Sequence, residues 1–128
     1  MAHILLLEPD SLLASDIKRY FALAGHKVYI HSDPQAAVAR ADKQLPDVVI
    51  TELQLAGRSG IEFLYEFRSY PEWQAIPVVV YSNLHPEELQ AYADVFKELN
   101  IYAYLHKPVA GLKQLLEAAE YSLQPVAG

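Results

Sequence analysis

Five strand-length apolar runs alternate with segments of helical period, predicting an α/β domain with a parallel sheet and helices on both faces. Several of the runs are continuously apolar rather than alternating, as strands covered on both sides must be. Connections are short, and no Ser/Gly or Pro-rich linker divides the 128 residues, a length suited to one domain with a sizeable core.

The predicted strands are Ile4–Leu7, Val28–Ile30, Val48–Thr51, Val78–Tyr81 and Ile101–Leu105. Between them the apolar spacing changes to three and four. Leu13, Ile17, Tyr20, Phe21 and Ala24 form the stripe of the first helix, and Gly25 follows it as a C-terminal stop should. Asp33-Pro34 opens the second helix, with proline at a position where its missing N–H costs nothing. Ser59 and Glu62 stand in capping-box relation and place the start of the third. Trp73, between the third helix and the fourth strand, is expected to seal a helix end against the sheet. His85-Pro86 opens the fourth helix, whose stripe is Leu89, Tyr92, Ala93, Phe96 and Leu99. Leu112, Leu115, Leu116, Ala119 and Leu123 mark the last. The domain is expected over residues 1–123, with 124–128 as a C-terminal tail or the stub of a linker.

Composition narrows the function. A net charge of −6 sets the surface against nucleic acid and anionic membranes, and no basic stripe is present. With no cysteine there is no disulfide, thiolate nucleophile or Cys-ligated metal. The short apolar run after Met1-Ala2-His3 is not a secretory signal, and no stretch approaches the ~18 apolar residues of a membrane span. A cytoplasmic protein is expected. The five histidines have no zinc-helix spacing, so surface positions are their default.

Open parallel sheets build their sites beyond the carboxyl ends of the strands, where the winding reverses. Glu8-Pro9-Asp10 follows the first strand, Thr51-Glu52 ends the third, Tyr81-Ser82-Asn83 ends the fourth, and His106-Lys107-Pro108 ends the fifth. One edge therefore collects carboxylates, a hydroxyl and an ammonium. Simpler roles compete at each position. Asp10 is a favoured N-cap residue for the first helix, and Ser82 could cap the loop after its strand. Tyr104 could be a packing or surface aromatic, and Lys107 a surface lysine. Glu8 ends a buried strand, where an unpaired charge would be costly, which favours pairing with Lys107.

The stretch Pro46-Asp47-Val48-Val49-Ile50-Thr51-Glu52-Leu53-Gln54-Leu55-Ala56-Gly57-Arg58-Ser59-Gly60, together with Ile76-Pro77-Val78-Val79-Val80-Tyr81-Ser82 and Tyr104-Leu105-His106-Lys107-Pro108, resembles the receiver domain of two-component response regulators. The likeness runs from Ile4 to about Leu123. It implies a flavodoxin-like, doubly wound (βα)5 sandwich with strand order 2-1-3-4-5. It also implies a phosphoacceptor position at Glu52, an acidic pocket at Glu8 and Asp10, and switch and phosphate-contact positions at Ser82, Tyr104 and Lys107. Pro108 is implied to follow a cis peptide bond.

Two positions depart from the family pattern. Glu52 replaces the phosphoaccepting aspartate, and Pro9 replaces the second acid of the metal-binding pair. Proline offers neither a carboxylate nor an N–H, and Mg²⁺ is exacting about its octahedral oxygen set. Glutamate extends the carboxylate by roughly one C–C bond, ~1.5 Å, and a misplacement of ~1 Å can cost ~100-fold in rate. No cofactor beyond weak Mg²⁺ is expected, with Glu8, Asp10 and Glu52 as its only candidate ligands. The longer Glu52 carboxylate could instead reach Lys107 and Ser82, imitating part of a phosphoryl group's charge.

The resemblance thus implies a non-enzymatic signalling module acting mainly by phosphorylation-independent protein contact. Its partner would be a sensor kinase, an output domain or another signalling protein, met through the face formed by the fourth helix, fifth strand and fifth helix, including Tyr92, Tyr102 and Tyr104. A homodimer stays open as an alternative; direct nucleic-acid or membrane contact is not expected. The rival reading is a working Mg²⁺-dependent phosphoreceiver in a phosphorelay. A flavin or nucleotide binder is disfavoured, because the acidic loop Glu8-Pro9-Asp10-Ser11 lacks the glycine that cradles phosphate.

Overall fold

A computed structural model describes residues 1–55 and 58–124. In chain order the elements are β1 (His3–Leu7), α1 (Ser11–Leu23), β2 (Lys27–His31), α2 (Pro34–Lys43), β3 (Val48–Thr51), β4 (Gln54–Leu55), β5 (Arg58–Ser59), α3 (Gly60–Ser69), β6 (Val78–Ser82), α4 (Pro86–Ala91), α5 (Ala93–Glu98), β7 (Ala103–His106) and α6 (Leu112–Ser122). β2-β1-β3-β6-β7 form one parallel sheet, and β4–β5 form a two-residue antiparallel ladder beside it. Leaving that ladder out of the count, the order is 2-1-3-4-5, as the resemblance implied.

Period-two alternation explains the continuous apolar runs. Leu5, Leu7, Val49, Val78 and Val80 pack on one face with Ala37, Phe63, Phe67, Leu89 and Phe96. Ile4, Leu6, Val48, Ile50, Val79 and Tyr81 pack on the other with Ala14, Ile17, Phe21 and Leu115. Every strand residue from Val48 to Thr51 and from Val78 to Ser82 is buried.

Helix starts follow the sequence signals. Asp10 accepts from the N–H groups of Leu12 and Leu13, and Asp33 from that of Gln35. Ser59 accepts from Ile61 N–H, while Glu62 lies in the first turn of α3. Gly25, at φ +86°, takes the left-handed position beyond α1. Ala24, assigned to the core stripe, is the exposed C-cap instead. The predicted fourth helix is two segments that meet at Tyr92, whose N–H closes tightly onto Leu89 O. β7 starts two residues later than expected, at Ala103. Trp73 is buried beside Phe67 and Tyr70, with ring centroids 5.0 and 4.4 Å away.

The histidines depart from their surface default: only His85 is exposed, and the other four are half-buried. His26 accepts from Ala2 N–H and bonds Glu120 of α6, and His3 stacks on Tyr29. At the amino end of the sheet the Arg68 guanidinium donates to the carbonyls of Leu99, Asn100, Trp73 and Gln74, tying two loops together. Of the expected tail, residues 125–128 lie outside the described residues, as do Ala56 and Gly57 of the β3–α3 stretch.

Candidate functional site

Sheet register brings the four expected segments to one edge. Leu7 pairs with Thr51, Thr51 with Val80, and Ser82 with His106, so Glu8, Glu52, Ser82 and Lys107 all emerge together. Lys107 Nζ lies 2.8 Å from Glu8 Oε1 and 2.9 Å from Glu52 Oε1. The Glu8, Glu52 and Lys107 side chains are 2, 3 and 9% exposed, so these three charges meet almost out of contact with solvent. An ion pair so placed needs hydrogen bonds on its remaining atoms to offset desolvation.

Glu52 receives them. Its Oε2 accepts from the N–H groups of Leu53 (2.6 Å) and Gln54 (3.1 Å) and from the Ser82 hydroxyl. Its Oε1 accepts from Asn83 N–H at 3.2 Å as well as from Lys107. Burial by itself pushes the Glu52 carboxyl upward. Hydrogen bonds from Ser82, Lys107 and Gln54 N–H, with the Lys107 charge, outweigh it and hold the group below the ordinary glutamate range. Burial disfavours the Lys107 ammonium, yet its bonds to Glu8 and Glu52 and their charges raise its pKa above the usual lysine value.

Glu8 is completed by Asp10 N–H, 3.0 Å from its Oε2. The Asp10 carboxylate is the N-cap of α1, as its residue type favoured, and is not in the acidic pocket where the resemblance placed it; the exposed N–H groups of the first turn reward an acid there. Asp10 thus contributes its backbone, not its charge. The Lys107–Pro108 bond, expected to be cis, is trans. The turn after β7 closes with Val109 and Ala110 N–H groups both on His106 O, and trans is the lower-energy form of an X–Pro bond by ~0.5–1 kcal/mol.

Ser82 Oγ also accepts from Leu84 N–H at 3.1 Å, so one hydroxyl links Glu52 to the loop entering α4. Tyr104 points outward: it is 41% exposed, and its ring lies 5.1 Å from Phe96, which in turn contacts Tyr92. Tyr102, two residues earlier and just before β7, is 51% exposed and borders Tyr121 and Ser122 of α6. His106, next to Lys107, turns toward His85 rather than Ser82, with 6.4 Å between the rings.

Three contributors escaped the sequence reading. The N–H groups of Leu53, Gln54 and Asn83 carry no sequence signal, since every non-proline residue has one. Tyr81 is buried, donates its hydroxyl to Ala110 O at 2.8 Å, and sets its ring 5.8 Å from Lys107 Nζ, fixing the turn that carries the lysine. Burial, and to a lesser degree Glu8, raises its phenol pKa against the opposing Lys107 charge. Gly60 donates to Leu53 O at 2.7 Å, and a Cβ there would fall 2.5 Å from Glu52 O. Its signal was a glycine just inside a helix start, where no turn needs one.

This geometry, a carboxylate at the end of the central strand flanked by a hydroxyl and a lysine from the next two, invites comparison with known proteins. The family profile described as response regulator receiver domain matches residues 4–120. Response regulator Rcp1 of Synechocystis is 30% identical over 91% of this chain and 83% of its own length. The KDP operon transcriptional regulatory protein KdpE of Escherichia coli is 28% identical over 84% of this chain, which spans only 45% of KdpE. The chain likewise spans less than half of the other curated relatives it matches first. Among solved structures, chemotaxis response regulator CheY4 of Vibrio cholerae superposes with a TM-score of 0.83 at 23% identity, covering 96% of this chain and 99% of that one. Among the described residues no helix is long and apolar enough to cross a membrane. With its profile spanning nearly the whole sheet and every site-bearing strand, the chain belongs to the response regulator receiver domain family.

Proposed function

We propose that this receiver is a signalling module whose pocket is closed by its own side chains, and that it works mainly by phosphorylation-independent protein contact. The observation that carries this reading is Glu52, whose carboxylate is bonded at once to Lys107 and Ser82. Those are the positions that the family resemblance assigns to phosphoryl oxygens. Glu52 supplies part of that negative charge permanently. A carboxylate has one charge and two oxygens, against the nearly two charges and three acceptor oxygens of a phosphoryl group, so the imitation is partial.

The donor set also argues against efficient Mg²⁺ use. Glu8 Oε1 and Glu52 Oε1 both face Lys107, Glu8 Oε2 faces Asp10 N–H, Asp10 caps α1, and Pro9 brings no carboxylate. Among the described residues no three His, Asp or Glu side chains are grouped so as to hold a metal ion. With glutamate in place of the acceptor aspartate and both pocket carboxylates bonded to Lys107, phosphotransfer and catalytic turnover are not part of this reading. The partner is a kinase, output domain or other cytoplasmic signalling protein. It meets the face of Tyr92, Tyr102 and Tyr104, an aromatic surface of the kind that interfaces favour.

Amide NMR spectra with and without Mg²⁺ and beryllofluoride test the reading. Peaks from Glu52, Ser82, Tyr104 and Lys107 are expected to stay in place. Saturable shifts at those residues would establish the working phosphoreceiver instead.

A further inference from the structure

On the far side of the sheet from β7, the end of β2 and one face of α2 border an open, shallow hollow of about 270 Å³ lined by His31, Ala36, Ala39, Arg40 and Lys43. All three of its ionisable side chains are basic, on a chain whose net charge is −6. The two alanines, three apart on the helix, leave its floor open. Among the described residues none of these three basic side chains is within 4.0 Å of a carboxylate, although Lys107, Arg19 and His26 are. Asp33, the acid that acts on His31, is occupied in capping α2 through Gln35 N–H.

Arg40 is held ready rather than waving in solvent. Its guanidinium carbon sits 3.7 Å above the Tyr29 ring, and one terminal nitrogen donates to Gln44 Oε1 at 3.3 Å. Its Nε is enclosed with no hydrogen-bond partner among the described residues. A half-buried guanidinium, ordered by stacking and with no carboxylate within 4.0 Å, keeps terminal N–H donors of the kind that suit an oxyanion. Lys43, one turn further along α2, adds a second permanent charge, and His31 closes the site from the strand.

We infer that this groove between β2 and α2 binds a phosphate-type dianion through Arg40, Lys43 and His31. The inference is independent of the pocket at Glu52, which lies at the centre of the sheet. Burial and the Arg40 charge both disfavour the His31 imidazolium, against a smaller opposing effect of Asp33. A bound dianion would add a favourable charge beside that ring.

The test is an NMR titration of the full chain with inorganic phosphate, against sodium chloride at matched ionic strength. Saturable shifts confined to His31, Ala36, Ala39, Arg40 and Lys43 are expected, with an upward move of the His31 ring titration. Sulfate should compete. Arg40→Gln should weaken binding about tenfold, the scale of one lost charge-assisted hydrogen bond, and Lys43→Gln, an exposed change that leaves the Tyr29 stack intact, should weaken it several-fold. Shifts that chloride reproduces, that do not saturate, or that persist unchanged in both variants would overturn the inference, as would failure of sulfate to compete.

Discussion

The pocket at the carboxyl ends of β3, β6 and β7 and the aromatic face beside β7 lie only a strand apart, yet they are built on opposite terms. In the pocket, two buried carboxylates share one ammonium, and both Glu52 oxygens carry more than one donor. On the face, Tyr102 and Tyr104 are 51 and 41% exposed, and Tyr104 rests its ring on Phe96. A region whose bonds are all met internally has little left for a ligand, whereas a half-covered aromatic surface can bury more area against a partner. The contrast separates what stabilises this receiver from the face we propose it offers to a partner.

The sharpest way to break that contrast is Lys107→Met. Two carboxylates would stay in the pocket without their shared cation, and losing one partner of a buried pair costs about 3–5 kcal/mol. Urea denaturation at neutral pH measures this directly. A loss below about 1 kcal/mol would show that the three charges do not hold the edge of the sheet together.

The pH profile sharpens the same point. Because the folded Glu52 pKa is depressed, its contribution is complete above the ordinary glutamate value, ~4.3, and disappears as pH falls through the lower folded value. Lys107 is raised, so its contribution is complete below the ordinary lysine value, ~10.4, and is lost as pH climbs through the higher folded one. The contribution of this pair should be flat near neutrality and fall on both sides, with the lowered His31 adding a separate decline as pH drops below ~6.5. Glu52→Gln should flatten the acid limb; an unchanged limb would assign it to other carboxylates.

Gly60→Ala probes the backbone behind Glu52. Its methyl would meet Glu52 O and the Leu53 Cα at 2.5 and 2.7 Å, backbone atoms that cannot swing aside, for an expected cost of about 1–3 kcal/mol. Chemical shifts at Glu52 and Ser82 should move with it. Least of all should Tyr104→Ala disturb the fold. A change of about 1 kcal/mol or less in stability is expected, together with loss of partner binding measured by calorimetry once a partner is in hand. A large stability loss would make Tyr104 a core residue and erase the contrast.

Much of this architecture was legible in the residue order. Buried strands announce themselves by unbroken apolar runs, and β3 from Val48 to Thr51 coincides with its expected span. Asp33-Pro34 and His85-Pro86 mark true helix starts because cap and proline chemistry are local. Asp10 had two possible uses, and the local one, capping the helix start, claimed its carboxylate. Other features were decided beyond the dipeptide. The bond before Pro108 depends on the turn that follows, which no dipeptide specifies. Tyr81 looked like one more strand aromatic, and its grip on Ala110 O exists only because the chain returns 29 residues later. The pairing of Glu8, Glu52 and Lys107 was readable because strand ends converge by topology. The N–H groups that complete it were not.

The Arg68 guanidinium at the opposite end of the sheet has a bearing on the lysine it never touches. By gripping Leu99 O and Asn100 O along with Trp73 O and Gln74 O, it fixes where the chain enters β7. Tyr81, through Ala110 O, fixes where it leaves. The strand bearing Lys107 is therefore anchored fore and aft, so the ammonium's position depends on a side chain at the other end of the sheet. Loosening that distant anchor would blur the charge pairing while leaving every residue of the pocket in place.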